Sequence, residues 1–109
     1  MNRVIDEIII DFANAWRSLN PELIIKHLSP DFRYDSQWVF ESLDYNRYIN
    51  YISSKFNLLR DNGISIRVNI IINSSTGEKA LQIFQSEEPI IYRIQVRDGM
   101  VIKGDLCMF

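Results

Sequence analysis

Few side chains in this sequence have the types and spacing that acid–base catalysis requires. His27 is the single histidine, and Asp35 is followed directly by Ser36. Imidazole and carboxylate groups transfer protons in enzymes when a substrate and a partner group lie within hydrogen-bond reach. A lone histidine near the end of a short helix is more often favoured there by the helix dipole, which stabilises positive charge at the C-terminus. We therefore expect His27 to be a partly exposed structural residue.

Nucleophilic and metal-based chemistry have little support in the sequence. Cys107 is the only cysteine, and neither it nor Ser36 has a histidine close in sequence to activate it. A single cysteine also excludes an intramolecular disulfide and a zinc site built from several thiolates. The acidic residues are scattered without the spacing of metal ligands. We expect no catalytic constellation, no metal and no cofactor, and a structural role for the cysteine.

A set of aromatic side chains is the more suggestive feature. Small-molecule sites are mostly apolar cavities with a few hydrogen-bonding groups. The candidate pocket residues are five rings and one hydroxyl: Trp16, Tyr34, Ser36, Trp38, Tyr48 and Tyr92. The alternative is that the rings fill the core, with each tyrosine hydroxyl reaching water or a backbone partner. The sequence alone leaves both interpretations open.

Two layers of secondary structure must position these residues. Apolar residues at spacings of three and four predict helices over residues 3–18, 22–28 and 45–60. Asp44 can cap the third helix, and Asn62–Gly63 can end it. Strands are predicted around residues 32–36 and 39–42, and over 64–73, 80–85, 90–97 and 100–108. We predict one α+β domain over residues 1–109, with three N-terminal helices packed on a curved, mixed or antiparallel sheet.

The turn at Asp98–Gly99 decides which faces of the last two strands come together. A two-residue loop would pair Arg97 with Met100, whereas a three-residue loop pairs Val96 with Met100. A slip of one residue moves every side chain of a strand to the other face. The three-residue loop keeps the apolar residues of both strands on one face, so we predict that register.

The other, convex face of the sheet is expected to carry a mixture of charged, polar and apolar side chains. Its predicted members are Arg67, Asn69, Ile71, Leu81, Ile83, Arg93, Gln95, Arg97, Lys103, Asp105 and Cys107. We interpret the charged ones as a surface that is solvated or covered by a second copy of the chain.

Composition limits the class of protein. The chain has 109 residues, of which 47% are apolar, and a formal net charge of −2, which indicates one globular domain. This charge gives no electrostatic basis for binding nucleic acid. No apolar run approaches the ~20 residues of a membrane-spanning helix, and the charged residues among the first eleven exclude a signal peptide there. We expect a soluble, cytoplasmic protein that binds neither nucleic acid nor membrane.

The order of three helices and a long antiparallel sheet resembles the nuclear transport factor 2-like superfamily, which includes SnoaL-like and ketosteroid isomerase-like proteins. The resemblance covers nearly the whole chain, and residues 16–32 carry most of it, with Trp16, the Asn20 turn and Asp31–Phe32 at the start of the first strand. Residues 34–40 are similar to an uncharacterised bacterial branch. The resemblance implies a cone-shaped, cystatin-like fold, a pocket between helices and concave sheet, and a homodimer through the sheet. It does not imply one reaction.

The isomerase chemistry of that superfamily does not transfer to this sequence. Aligned on the Asn20 turn, Phe12 stands where the hydrogen-bonding tyrosine would be, and Ser36 stands where the aspartate base would be. A phenyl ring cannot donate a hydrogen bond, and Asp35 points to the opposite face of its strand. We therefore expect a protein that binds a small apolar ligand in a cone-shaped pocket. The alternatives are a lyase or isomerase acting on a small hydrophobic substrate, and a dimeric protein-interaction module.

Overall fold

Six strands and three helices make up the part of the chain that the computed structural model describes, which is residues 3–36, 41–84 and 89–108. In chain order they are α1 (Arg3–Ser18), α2 (Glu22–Ile25), β1 (Leu28–Ser36), β2 (Leu43–Asp44), α3 (Tyr45–Asp61), β3 (Arg67–Ile72), β4 (Lys79–Phe84), β5 (Ile90–Arg97) and β6 (Met100–Met108). The strands form one sheet in the order β2-β1-β6-β5-β4-β3. Only the pair of β1 and β6 is parallel among these neighbours. The predicted α+β class with a mixed sheet is confirmed.

The two long helices follow their predicted bounds closely, while α2 is shorter than predicted. The Asp44 carboxylate accepts a hydrogen bond from the backbone N–H of Arg47 at 2.9 Å, which caps α3 as expected. The helix α2 ends at Ile25 rather than residue 28. Leu28 instead pairs with Val101 of β6, and the Val101 N–H donates to the His27 carbonyl at 2.8 Å. Sheet pairing therefore competes successfully with the last helical turn.

The predicted strand over residues 39–42 is not found in the part of it that is described. Residues 39 and 40 lie outside the described ranges, and Glu41 and Ser42 are not in a strand. The described strand is β2, which pairs with β1 through Asp44 opposite Arg33.

The three-residue loop predicted between β5 and β6 is wrong. Arg97 pairs with Met100, so the loop is Asp98–Gly99 alone, and both residues have positive φ angles of 54° and 78°. Such a turn matches the right-handed twist of the flanking strands, which favours two-residue hairpins. The register shifts between Gln95 and Val96, which leaves one extra residue in β6. This bulge puts the apolar residues of both strands back on one face.

The prediction for β4 also needs a correction. Leu81 and Ile83 were expected on the convex face, but both are fully buried. Ile83 lies opposite Val68 of β3 and Ile90 of β5, and all three face the core. Because both alternating sets of β4 contain apolar residues, the pattern within this strand alone could not assign its faces.

Helices and sheet enclose a core rich in aromatic rings. The helix α1 contacts β3 and β4, and α3 contacts β1 and β2, so the two helices cover opposite halves of the concave face. The largest side chains buried between them are Trp16, Tyr34, Tyr48, Tyr92, Phe12, Phe32 and Phe56. In the described ranges no helix is both long enough and apolar enough to span a membrane.

Candidate functional site

Four of the six predicted pocket residues come together at the centre of the core. Trp16 comes from α1, Tyr34 from β1, Tyr48 from α3 and Tyr92 from β5, and each is at most 1% exposed. The ring centroids of Tyr34 and Tyr48 are 4.6 Å apart, and those of Trp16 and Tyr92 are 6.3 Å apart. These distances are typical of packed aromatic pairs. We call these four residues the aromatic cluster.

The aromatic cluster contains a hydrogen bond that is shielded from water. The hydroxyls of Tyr48 and Tyr92 are 2.8 Å apart. Burial raises the pKa of both phenols above its ordinary value. A phenol is protonated at neutral pH even at its ordinary pKa of about 10, and burial strengthens that preference, so both groups can donate hydrogen bonds but do not act as bases.

Gly104 of β6 lies against the hydroxyl end of the Tyr92 side chain. A Cβ atom added at this glycine would be 2.7 Å from the Tyr92 hydroxyl oxygen and 3.3 Å from Cζ of Phe32. These separations are shorter than van der Waals contact, so no other residue type fits without displacement of the rings. The glycine allows the phenol to reach the centre of the cone.

The structure does not place the other predicted pocket residues, Ser36 and Trp38, in the aromatic cluster, because the side chain of one and the whole of the other lie outside the described part. The backbone of Ser36 pairs with Leu106 at the end of β1, its side chain is outside the described part, and Trp38 lies outside the described residues altogether. Asp35 is half-exposed; its carboxylate accepts a hydrogen bond from the Ser42 hydroxyl and lies 3.6 Å from Nζ of Lys103. The one carboxylate considered for acid–base catalysis is thus part of a surface network.

His27 has an acidic partner that sequence spacing did not reveal. Its Nε2 atom is 2.7 Å from Oδ2 of Asp11 on α1, and Nζ of Lys26 is 3.2 Å from the same oxygen. Burial raises the pKa of Asp11, but the hydrogen bonds with His27 and Lys26 lower it by a larger amount. The resulting pKa is below its ordinary value. The histidine side chain is 19% exposed and lies beyond the end of α2. The contact with the Asp11 carboxylate, rather than the helix dipole, holds it in place.

A cavity of about 580 Å³ lies between the first turns of α1 and the concave face of β5. Three apolar side chains line it, those of Ile5, Ile94 and Val96, and the rest of the wall consists of Asp6, Thr76, Gly77, Glu78, Lys79 and Gln95. Because side chains two residues apart in a strand share a face, Ile94 lies next to Tyr92 of the aromatic cluster. This mouth cavity, as we call it, is therefore the opening of the cone. None of the four residues of the aromatic cluster is in its wall.

An ion pair forms part of the polar wall of the mouth cavity. Nζ of Lys79, the first residue of β4, is 2.6 Å from Oδ1 of Asp6 on α1. Both residues line the cavity, as does Glu78. The pair connects residues that are distant in sequence, which is why the spacing of charges along the chain did not predict it.

A second cavity, of about 320 Å³, lies where β4 and β5 diverge. The two strands pair only at Leu81–Tyr92, Gln82–Ile91 and Ile83–Ile90 among the described residues, although β4 starts at Lys79 and β5 continues to Arg97. We call the unpaired region the fork. The cavity in it shares Glu78, Lys79 and Ile94 with the mouth cavity, and Arg93 is in its wall. In the same described ranges no group of three or more potential metal ligands is found.

Comparisons with known proteins identify the fold but no activity. No family model matches the chain. A search of the curated proteins finds no match. A SnoaL-like protein of unknown function from Burkholderia thailandensis is similar in structure, with a TM-score of 0.76 at 12% identity, covering 100% of this chain and 97% of that one.

Two further solved structures agree with that result. A nuclear transport factor 2-like protein of unknown function from Cytophaga hutchinsonii has a TM-score of 0.62 at 9% identity, covering 96% of this chain and 89% of that one. A protein of unknown function with a cystatin-like fold from Methylobium petroleophilum has a TM-score of 0.63 at 8% identity, covering 99% and 77%. At these identities the likeness concerns the fold alone. The chain therefore has the nuclear transport factor 2-like, cystatin-like fold that its sequence resembles.

Proposed function

We propose that this chain binds a small, largely apolar molecule in the mouth cavity. The observation that carries the proposal is the cavity itself, which measures about 580 Å³ and lies at the opening of the cone. Small-molecule sites typically measure about 300–1,000 Å³ and have apolar walls with a few polar groups. Ile5, Ile94 and Val96 supply such a wall, and the pair of Asp6 and Lys79 supplies polar groups.

The aromatic cluster has a supporting role in this proposal. Its rings fill the cone beyond Ile94, so the cluster supports the wall of the mouth cavity from behind and does not itself contact the ligand. The site residues predicted from the sequence would thus lie beneath the ligand, while Ile5, Ile94 and Val96 would contact it directly.

The groups around the mouth cavity favour binding over proton transfer. Two carboxylates line the mouth cavity: that of Asp6 is engaged by Lys79 at 2.6 Å, and that of Glu78 is on an exposed residue at the rim. The phenols of Tyr48 and Tyr92 lie in the core behind the cavity wall, and burial raises their pKa further above neutral pH. A lyase or isomerase would need a base with a suitable pKa within reach of its substrate. We therefore propose a binding protein rather than an enzyme.

Native mass spectrometry of freshly purified protein tests the proposal. We expect extra mass on the folded wild-type chain and much less on Val96→Trp, whose indole would project into the mouth cavity and obstruct the ligand. Ile10→Trp is the control, because Ile10 is also on the protein's surface, 49% exposed on α1, and outside the cavity wall. The control variant should keep the extra mass.

A titration covers the case in which the purified protein carries nothing. Addition of 1-decanol, a neutral apolar probe, should shift the backbone amide resonances of Ile94 and Val96 in the wild type and in Ile10→Trp, but not in Val96→Trp. Equal binding by Val96→Trp, or no binding by the wild type in either experiment, would overturn the proposal.

A further inference from the structure

The fork places a cation and a strand edge beside the mouth cavity, and from this juxtaposition we propose that the ligand is an N-acyl amino acid. Its acyl chain would lie in the mouth cavity, its amide at the edge of β5 and its carboxylate at Arg93. The inference rests on the proposed function, because the acyl chain occupies the cavity assigned there.

Arg93 is the cation best placed to receive a carboxylate. It lies in the wall of the cavity at the fork and is exposed. No ion pair of Arg93 is found among the described residues. The residue opposite Arg93 on β6 is Asp105, whose carboxylate lies 3.8 Å from Nζ of Lys103. Lys79, which also lines this cavity, is paired with Asp6. A guanidinium binds a carboxylate through two parallel hydrogen bonds, which fixes its orientation.

The strand edge favours an amide over a plain hydrocarbon at the fork. Pairing with β4 ends at Tyr92, while β5 continues to Arg97. Beyond Tyr92, the edge of β5 that faces the fork has no register partner in β4 among the described residues, so this edge can pair with a ligand. A hydrocarbon chain crossing there would desolvate these groups without pairing them, which is costly. A secondary amide offers one donor and one acceptor, as a neighbouring strand does.

The positions of the three features match the order of groups in the ligand. Arg93 and Ile94 are consecutive residues of β5, so their side chains lie on opposite faces of the sheet. A ligand that contacts both must cross the sheet through the fork. One amino-acid unit spans about 3.5 Å. This length lets the ligand pair its amide with the backbone of β5 while its carboxylate reaches the convex side of the sheet. The two cavities share Ile94, Lys79 and Glu78, so they adjoin along this path.

Isothermal titration calorimetry with four probes, kept below the concentrations at which they form micelles, tests the inference. The probes are N-decanoylglycine, its methyl ester, dodecanoate and 1-decanol. We expect N-decanoylglycine to bind tightest, the uncharged ester about tenfold more weakly, and dodecanoate, which lacks the amide, about fivefold more weakly. These ratios follow from the loss of one charged or one neutral hydrogen-bonding group.

Two variants locate the carboxylate. Arg93→Gln should lower the affinity for N-decanoylglycine about tenfold and leave the affinity for 1-decanol unchanged. Arg97→Gln is the matched control, because Arg97 is exposed on the same face of β5 and outside both cavity walls. It should change the affinity for neither probe.

The outcomes separate the inference from the proposed function. If 1-decanol binds but Arg93→Gln and the ester show no loss, the carboxylate assignment is wrong and the mouth cavity remains the site. If dodecanoate binds as tightly as N-decanoylglycine, the amide assignment is wrong. If none of the four probes binds, the proposed function itself fails.

Discussion

The hydroxyl oxygens of Tyr48 and Tyr92 lie 2.8 Å apart in the centre of the core, where neither side chain reaches water. This hydrogen bond joins α3, which packs over β1 and β2, to β5 in the other half of the sheet. A buried hydroxyl that loses its partner keeps its full desolvation cost. Each of the two hydroxyls therefore relies on the other to offset the cost of its burial.

A double-mutant cycle should reveal that dependence. Tyr48→Phe and Tyr92→Phe alone should each lower the free energy of unfolding by about 1–3 kcal/mol, because each leaves the other hydroxyl without this partner. The double variant should lose less than the sum of the two single losses, since both oxygens are then absent. Urea denaturation measures all four free energies, and strictly additive losses would contradict the predicted coupling.

Gly104→Ala should destabilise the fold through its contact with Tyr92. The new Cβ would be 2.7 Å from the phenol oxygen, and such overpacking typically costs about 1–3 kcal/mol. In the Tyr92→Phe background the loss should be smaller, because the nearest atom is gone and the next ring atom is 3.2 Å away. Thermal denaturation of the four proteins checks this. An equal loss in both backgrounds would place the strain elsewhere.

The Asp11 carboxylate, which contacts both His27 and Lys26, should make stability depend on pH in the acid range. The pKa of Asp11 is lowered in the folded protein, so its contribution is present above the ordinary carboxyl value of about 4 and is lost as the pH falls through the lowered value. Asp11→Asn should therefore be less stable than wild type at pH 6, by about 1 kcal/mol or less because the pair is partly exposed.

Urea denaturation of both proteins from pH 6 to pH 3 measures this effect. The difference between them should shrink as the pH falls. Asp61→Asn, at the exposed end of α3, is the control. A difference that is constant over the whole range would show that the Asp11 carboxylate does not contribute through its charge.

We predict a homodimer through the convex face of β1 and β6. Lys103 lies 3.6 Å from Asp35 and 3.8 Å from Asp105 on this face. A two-fold axis would bring Lys103 of one protomer near the two aspartates of the second protomer, and the reverse. Sedimentation velocity should give twice 12.9 kDa for the wild type and a shift to monomer for Lys103→Glu. Arg47→Glu, whose side chain is 62% exposed on α3, should remain dimeric. A monomeric wild type would exclude this interface.

Local sequence signals predicted the elements that depend on them. The spacing of Ile8, Phe12 and Trp16 predicts a buried stripe on α1, and the Asp44 cap gives the start of α3. The alternation in β5 correctly put Tyr92 and Ile94 on one face. In each case the pattern within one element was sufficient, because the buried side of that element is much more apolar than the other.

Relationships between distant strands could not be predicted in the same way. The faces of β4 were assigned wrongly because Leu81 and Ile83 alternate with other apolar residues, and only pairing with β3 decides between the two sets. The ion pairs of Asp11 with His27 and of Asp6 with Lys79 join separate elements. The mouth cavity depends on where β4 and β5 part, and no residue in either strand signals that point.

The position of β6 between β1 and β5 has a consequence for how the chain folds. The hairpin of β5 and β6 needs only a two-residue turn, so it can form early from local contacts. The parallel pairing of β6 with β1 joins Leu28 to Val101, and the long intervening chain makes that encounter entropically costly. Until it occurs, Tyr34 on one side of β6 cannot meet Tyr92 on the other. The closing of the sheet, rather than the formation of its hairpins, should therefore set the rate at which the native core appears.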